Sequence, residues 1–136
     1  MTKSTNPVPE GFHTVTPYLV VPGVAKLIDF LKQAFDAQEI QRHLRPDGTV
    51  QHAEVRIGDS IIMMGEPQGT QKAMPATILL YVVDVDTRYQ SAIQAGATSL
   101  RAPADQPYGD RTVGVEDSCG NQWWVAARIA KADPAA

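Results

Sequence analysis

The chain has 136 residues, 43% of them hydrophobic and 20% charged, with a formal charge of −3 at pH 7. A chain of this length buries about two-thirds of its unfolded surface and needs no disulfide or structural metal. Its single cysteine, Cys119, excludes an internal disulfide framework and a zinc site of several thiolates. The slight acidity argues against a nucleic-acid partner, and the longest apolar run, Ile78 to Val83, is too short to span a membrane. No basic, apolar leader opens the chain, so the expected location is cytoplasmic.

Residues 1–12, with Pro7, Pro9 and Gly11, read as a flexible arm. Thr16 to Val21 is predicted as a short strand that Pro22-Gly23 ends. Val24, Leu27, Ile28, Leu31, Ala34 and Phe35 then recur at three-four spacing, the apolar stripe of a helix. Gln38 to Arg45 follows as an extended segment, with a turn at Pro46-Asp47-Gly48. Thr49 to Ile57 and Ser60 to Met64 form a hairpin around Gly58-Asp59. Glu66 to Pro75 is a linker.

The same order then begins again. Thr77 to Val83 is a strand, and Asp84 is a candidate N-cap for a helix with the stripe Val85, Tyr89, Ala92 and Ile93, ended by Gly96. Thr98 to Ala102 is a weaker strand, and Arg111 to Ser118 pairs with Asn121 to Ala127 around Cys119-Gly120. A shift of about 61 residues lays Leu19-Val20-Val21 on Leu80-Tyr81-Val82, Val24 on Val85, Gly58-Asp59 on Cys119-Gly120 and Met63 on Trp124. The predicted fold is α+β: one domain over residues 13–128, built from two βαβββ modules (about 13–65 and 76–128). The linker covers 66–75 and a tail covers 129–136.

Three segments carry a family resemblance. Tyr18-Leu-Val-Val21 precedes an amphipathic helix, and His52-Ala-Glu-Val55 precedes Gly58-Asp-Ser60. Tyr108-Gly-Asp-Arg111 precedes Asp117 and Gly120-Asn-Gln-Trp123. Together, over about residues 12–128, they resemble the vicinal oxygen chelate superfamily of glyoxalase I, bleomycin-resistance proteins and extradiol dioxygenases, and most of all its PhnB-like branch. The resemblance implies paired βαβββ modules whose sheets curve around a cavity, within a homodimer.

Strand alternation sorts the side chains. Leu19, Val21, Ile62, Met64, Ile78, Leu80, Val82, Trp123 and Val125 form the uniformly apolar set that faces the helices. The opposite, cavity-facing set is Thr16, Tyr18, Val20, Ile61, Met63, Thr77, Leu79, Tyr81, Gln122 and Trp124. A two-residue hairpin puts Glu54 opposite Met63 and Arg56 opposite Ile61, so His52, Glu54 and Arg56 share the cavity face. By the same logic Val113 and Val115 join Trp124.

In metal-dependent members the resemblance implies ligands on the first and last strands of each module, which fall here at or near Thr16, Met63, Thr77 and Trp124. None is a convincing ligand for a divalent metal, so no cofactor is expected, with a divalent metal as the alternative. His52 and Glu54 are the catalytic candidates, as an acid–base pair or as a site for a cationic group. More often such a pair is a solvated or salt-bridged strand face, with Arg56 as the partner of Glu54. His13 and His43 read as surface residues, and Cys119 lacks a neighbour that would make it a thiolate. Trp123 belongs to the core and Trp124 to a stacking wall. Tyr108 and Arg111 are either a pocket rim or a loop staple. The expected function is binding of a small hydrophobic or cationic molecule in a metal-free cavity, with Tyr18, Met63, Tyr81 and Trp124 supplying burial and Glu54 fixing a basic group. A metal-dependent lyase, isomerase or dioxygenase is the first alternative, an acid–base enzyme using His52 or Glu54 the second, and an interaction module the third.

Overall fold

The apolar stripe that begins at Val24 forms helix α1 (Val24–Phe35) in the computed structural model, which describes residues 6–130. Its seven buried residues are the six predicted from spacing together with Phe30. Around it lie β1 (Tyr18–Val20), β2 (Gln38–Leu44), β3 (Val50–Ile57) and β4 (Ser60–Gly65), in a sheet of order β1-β4-β3-β2. The second module repeats the plan with β5 (Thr77–Tyr81), α2 (Val85–Gln94), β6 (Thr98–Asp105), β7 (Asp110–Glu116) and β8 (Gln122–Arg128), in the order β5-β8-β7-β6. In each sheet the first strand runs parallel to the last and the other pairs are antiparallel.

The internal repeat holds at the level of register. Tyr18 lies opposite Met63 in the first sheet, and Leu79 lies opposite Trp124 in the second. Val24 and Val85 each open a helix. The helices pack on one another, and a single core runs through both modules. Phe35 at the end of α1 meets Trp123 of β8 with ring centroids 5.5 Å apart. Burying a side chain of this size contributes about 1.5–3 kcal/mol, so this contact stabilises the core that both modules share.

Several local expectations are corrected. β1 starts at Tyr18, which leaves Thr16 outside the strand, although the Pro17 carbonyl still accepts the Met63 amide at 3.0 Å. β6 runs on to Asp105 through Pro103, which an edge strand tolerates because no partner needs the missing amide. Asp84 occupies the N-cap of α2 without bonding the helix amides; its carboxylate accepts Arg88 Nε at 3.2 Å. Ile93 is exposed, and α2 buries Val85 and Ala92. Of the N-terminal arm, residues 1–5 lie outside the described residues, while Phe12 N donates to Pro9 O and His13 bonds the Asp59 carbonyl at 3.2 Å. Of the tail, residues 131–136 lie outside the described residues, and the Ile129 amide donates to Gly109 O.

The face assignment holds in the first module and shifts in the second. Glu54 pairs with Met63 and Arg56 with Ile61, while Ala53, Val55 and Ile57 are buried in the core. In the second hairpin Trp124 lies opposite Gly114, and Val113 and Val115 face the core opposite Val125 and Trp123. The connection through residues 117–121 is longer than Gly58-Asp59, so the pairing slips by one residue against the repeat. A one-residue slip turns every side chain of a strand to the other face.

Candidate functional site

Each sheet turns one face to the helices and leaves the other open. On the open faces Tyr18 is 48% exposed, Leu79 52% and Tyr81 65%, so neither face is covered by the other module.

On the first sheet the row Tyr18, Met63, Glu54 and Gln41 crosses the strands. Tyr18 Oη lies 3.1 Å from His52 Nδ1, and His52 Nε2 lies 2.9 Å from Glu54 Oε2. A carboxylate only accepts, so Nε2 donates to Glu54, and Nδ1 of a neutral ring then accepts from the Tyr18 hydroxyl. Glu54 is 7% exposed, and burial in a half-apolar strand face makes this partner necessary. The carboxylate is therefore turned to His52; the expected Arg56–Glu54 pair is absent among the described residues. His43 is at the surface, bonded to Gln41 Oε1.

On the second sheet the row is Leu79, Trp124, Gly114 and Arg101. A Cβ on Gly114 would stand 2.4 Å from Trp124 Cζ3, so only glycine lets the indole lie flat across β7. The Arg101 guanidinium carbon sits 5.1 Å from the centroid of that indole, within cation–π range. A concavity of about 350 Å³ opens here, lined by Leu79, Arg101, Tyr108, Thr112 and Trp124 over Val125 and Ala126. Farther along the same face, Tyr81 Oη donates to Asp110 Oδ2 at 3.4 Å, and Arg128 Nε donates to the other oxygen of this buried carboxylate.

Of the sequence-predicted residues, Tyr18, His52, Glu54 and Met63 come together on one sheet, and Leu79, Tyr108 and Trp124 on the other. Thr77 pairs with Gln122 at the exposed start of β5, and Thr16 precedes β1. Arg111 is not on the pocket. The slip that buries Val113 also turns Arg111 toward α2, where Nε and Nη2 hold both oxygens of Asp86 and Nη1 holds Asp105. Those two carboxylates keep the guanidinium protonated well above its ordinary range, and Arg111 in return holds Asp86 below the usual aspartate value. It is the loop staple. Arg101, Thr112 and Gly114 were missed, and the signal that could have found them is a glycine inside a strand otherwise rich in β-branched residues.

The donor set at the family's metal positions is a threonine hydroxyl, a thioether, a second hydroxyl and an indole. None is the imidazole, carboxylate or thiolate that a divalent metal prefers, and no cluster of three or more His, Cys, Asp or Glu side chains suits a cation among the described residues. The residues do not fit such a group. Cys119 Sγ donates to Pro22 O at 3.3 Å, and burial, with Asp117 adding to it, pushes its thiol up from the ordinary value.

Comparisons with known proteins follow the same geometry. The family model described as the Glyoxalase/Bleomycin resistance protein/Dioxygenase superfamily matches residues 11–125. An uncharacterized protein of Mycobacterium bovis is 42% identical over 120 residues, covering 80% of this chain and 79% of the relative. Among solved structures, TioX from Micromonospora sp. ML1 superposes with a TM-score of 0.73 at 22% identity, covering 86% of this chain and 99% of TioX. The PhnB protein of Bacillus cereus superposes with a TM-score of 0.65 at 16% identity, covering 85% and 99%. At these identities the two structures speak for the fold alone.

Proposed function

We propose a function from one premise: the chain belongs to the glyoxalase/bleomycin resistance protein/dioxygenase superfamily. On that premise it is a small-molecule-binding protein of the PhnB-like branch. It holds a largely apolar organic molecule on the Trp124 face of the second sheet and works as a homodimer without a catalytic metal.

The observation that carries this reading is the concavity of about 350 Å³ in which Leu79, Tyr108 and Trp124 supply apolar and aromatic wall and Thr112 a hydroxyl. Such a wall with a few polar groups is what small-molecule sites are made of. The open faces bearing Tyr18, Leu79 and Tyr81 support a second copy that completes the enclosure. The donor set at Thr16, Met63, Thr77 and Trp124 supports a metal-free site. One oxygen of Glu54 is already held by His52, and Glu54 lies on the other sheet from the Trp124 pocket, so the ligand class proposed for that pocket is apolar first.

The test is equilibrium binding of a panel of neutral aromatic compounds, followed by quenching of tryptophan emission in the native protein and in Trp124→Leu. At least one compound is expected to bind in the micromolar range and to lose about tenfold in Trp124→Leu. No binding across the panel, or binding indifferent to Trp124, overturns the reading. Near-stoichiometric zinc, nickel or iron in protein purified without a histidine tag overturns the metal-free part and favours a lyase, isomerase or dioxygenase.

A second reading rests on the Tyr18–His52–Glu54 chain of hydrogen bonds. A buried carboxylate that orients an imidazole, which in turn accepts a hydrogen bond from a phenol, is an acid–base arrangement. It requires a catalytic activity that disappears in both His52→Ala and Glu54→Gln while the thermal melt stays within a few degrees of the native one.

A further inference from the structure

The guanidinium of Arg101 has no hydrogen-bond or ion-pair partner among the described residues, although it lines the pocket. Asp105 is bonded to Arg111, and Asp110 to Arg128 and Tyr81, while Glu116, two residues along β7 from Gly114, makes no ion pair with Arg101 among the described residues. Its placement is built by the fold. β6 shifts register against β7 between Ser99 and Arg101 and again between Arg101 and Ala104, so an irregularity flanks this residue on both sides. Bulges of this kind re-aim a side chain next to a site. The aim is toward Trp124, and the bare α-carbon of Gly114 lets the indole reach across β7 to meet it. Over the ring, the guanidinium has its position favoured by the cation–π contact, and its N–H groups stay available to an acceptor.

We propose that this pocket selects a planar apolar molecule carrying an anionic group, a carboxylate or an oxyanion of sulfur or phosphorus, with the anion on the Arg101 guanidinium and the ring against Leu79 and Tyr108. The proposal rests on the small-molecule reading of the same pocket and adds its charge preference. A carboxylate, or two oxygens of a sulfonate or phosphate, matches the guanidinium fork with two parallel hydrogen bonds. A volume of about 350 Å³ lies at the small end of ligand pockets, which suits a compound of two or three rings. The net charge of −3 does not supply this preference, so it has to come from Arg101 locally.

Two probes that differ only in the anion separate the claims: 1-anilinonaphthalene-8-sulfonate and its neutral parent N-phenyl-1-naphthylamine. Titrated into the full chain, the sulfonate is expected to bind about tenfold more tightly than the parent. Arg101→Gln is expected to erase the difference, Arg101→Lys to keep part of it, and Trp124→Leu to weaken both probes. Circular dichroism of each variant checks the fold, which an exposed edge-strand position should preserve. Equal affinity for the two probes in the native protein, or a preference that survives Arg101→Gln in a folded variant, overturns the proposal and leaves the small-molecule reading standing. Failure of both probes to bind overturns the two together.

Discussion

Asp117 stands at the head of the β7–β8 connection with four donors on one buried carboxylate. Oδ1 accepts the amides of Cys119 and Asn121, and Oδ2 accepts Asn121 Nδ2 and the Trp123 indole N–H at 2.8 Å. Asn121 in turn accepts the Ala76 amide at 3.0 Å, tying the turn to the start of β5. Removing the carboxylate leaves a buried indole donor and turn amides without partners, so Asp117→Ala is expected to cost about 2–4 kcal/mol. Urea denaturation reads this as a lower midpoint at unchanged slope; a loss under about 0.5 kcal/mol would show the network to be incidental. The sequence marked Asp117 as part of a family pattern, but no local rule says which four groups its two oxygens serve. That information lies in the turn's three-dimensional path.

Between elements, charge ties helix to sheet. Glu39 on β2 accepts Arg42 Nε at 2.7 Å and Lys32 Nζ, from the last turn of α1, at 2.9 Å. The Arg42 hydrogen bond, then that of Lys32, holds the Glu39 carboxyl below the usual glutamate range. A folded-state value below the unfolded one stabilises fully above the unfolded value, about 4.3, and that contribution is lost as pH falls through the folded value. Glu39→Gln is therefore expected to cost about 0.5–1 kcal/mol at pH 7, with the gap to the native protein closing in acid. Thermal melts of both proteins from pH 7 to pH 3 check the sign; a gap that widens in acid would contradict it. The element order and the buried face of α1 were legible because the apolar periods are strong, as in the α1 stripe. The face of β7 was not, because hairpin parity depends on turn length and the turn through Asp117–Asn121 looks in sequence like a copy of Gly58-Asp59.

At the scale of the molecule, two open sheets remain with aromatic and aliphatic side chains uncovered, including Tyr81 and Val83 near the end of β5. A second copy is the proposed cover, and sedimentation equilibrium is expected to return twice the chain mass at micromolar concentration. A monomer at all concentrations up to the millimolar range would exclude it. The clusters on the two sheets, Tyr18–His52–Glu54 and Leu79–Trp124–Arg101, are each complete within one module. Ligand selection by the second cluster and proton chemistry by the first are thus separable by mutation.

The sequence by itself determined the doubled βαβββ plan, the α1 stripe, the apolar face of the first sheet and the scarcity of metal ligands. All of these follow from period, spacing and residue chemistry, which are local properties. Tertiary structure decided that Glu54 faces His52 instead of Arg56, that Arg111 is spent on α2, and that Arg101 waits over Trp124. The last two outcomes turn on a register or a bulge, where one residue of slip exchanges pocket for core, and the first on which neighbour along one strand face the side chain reaches.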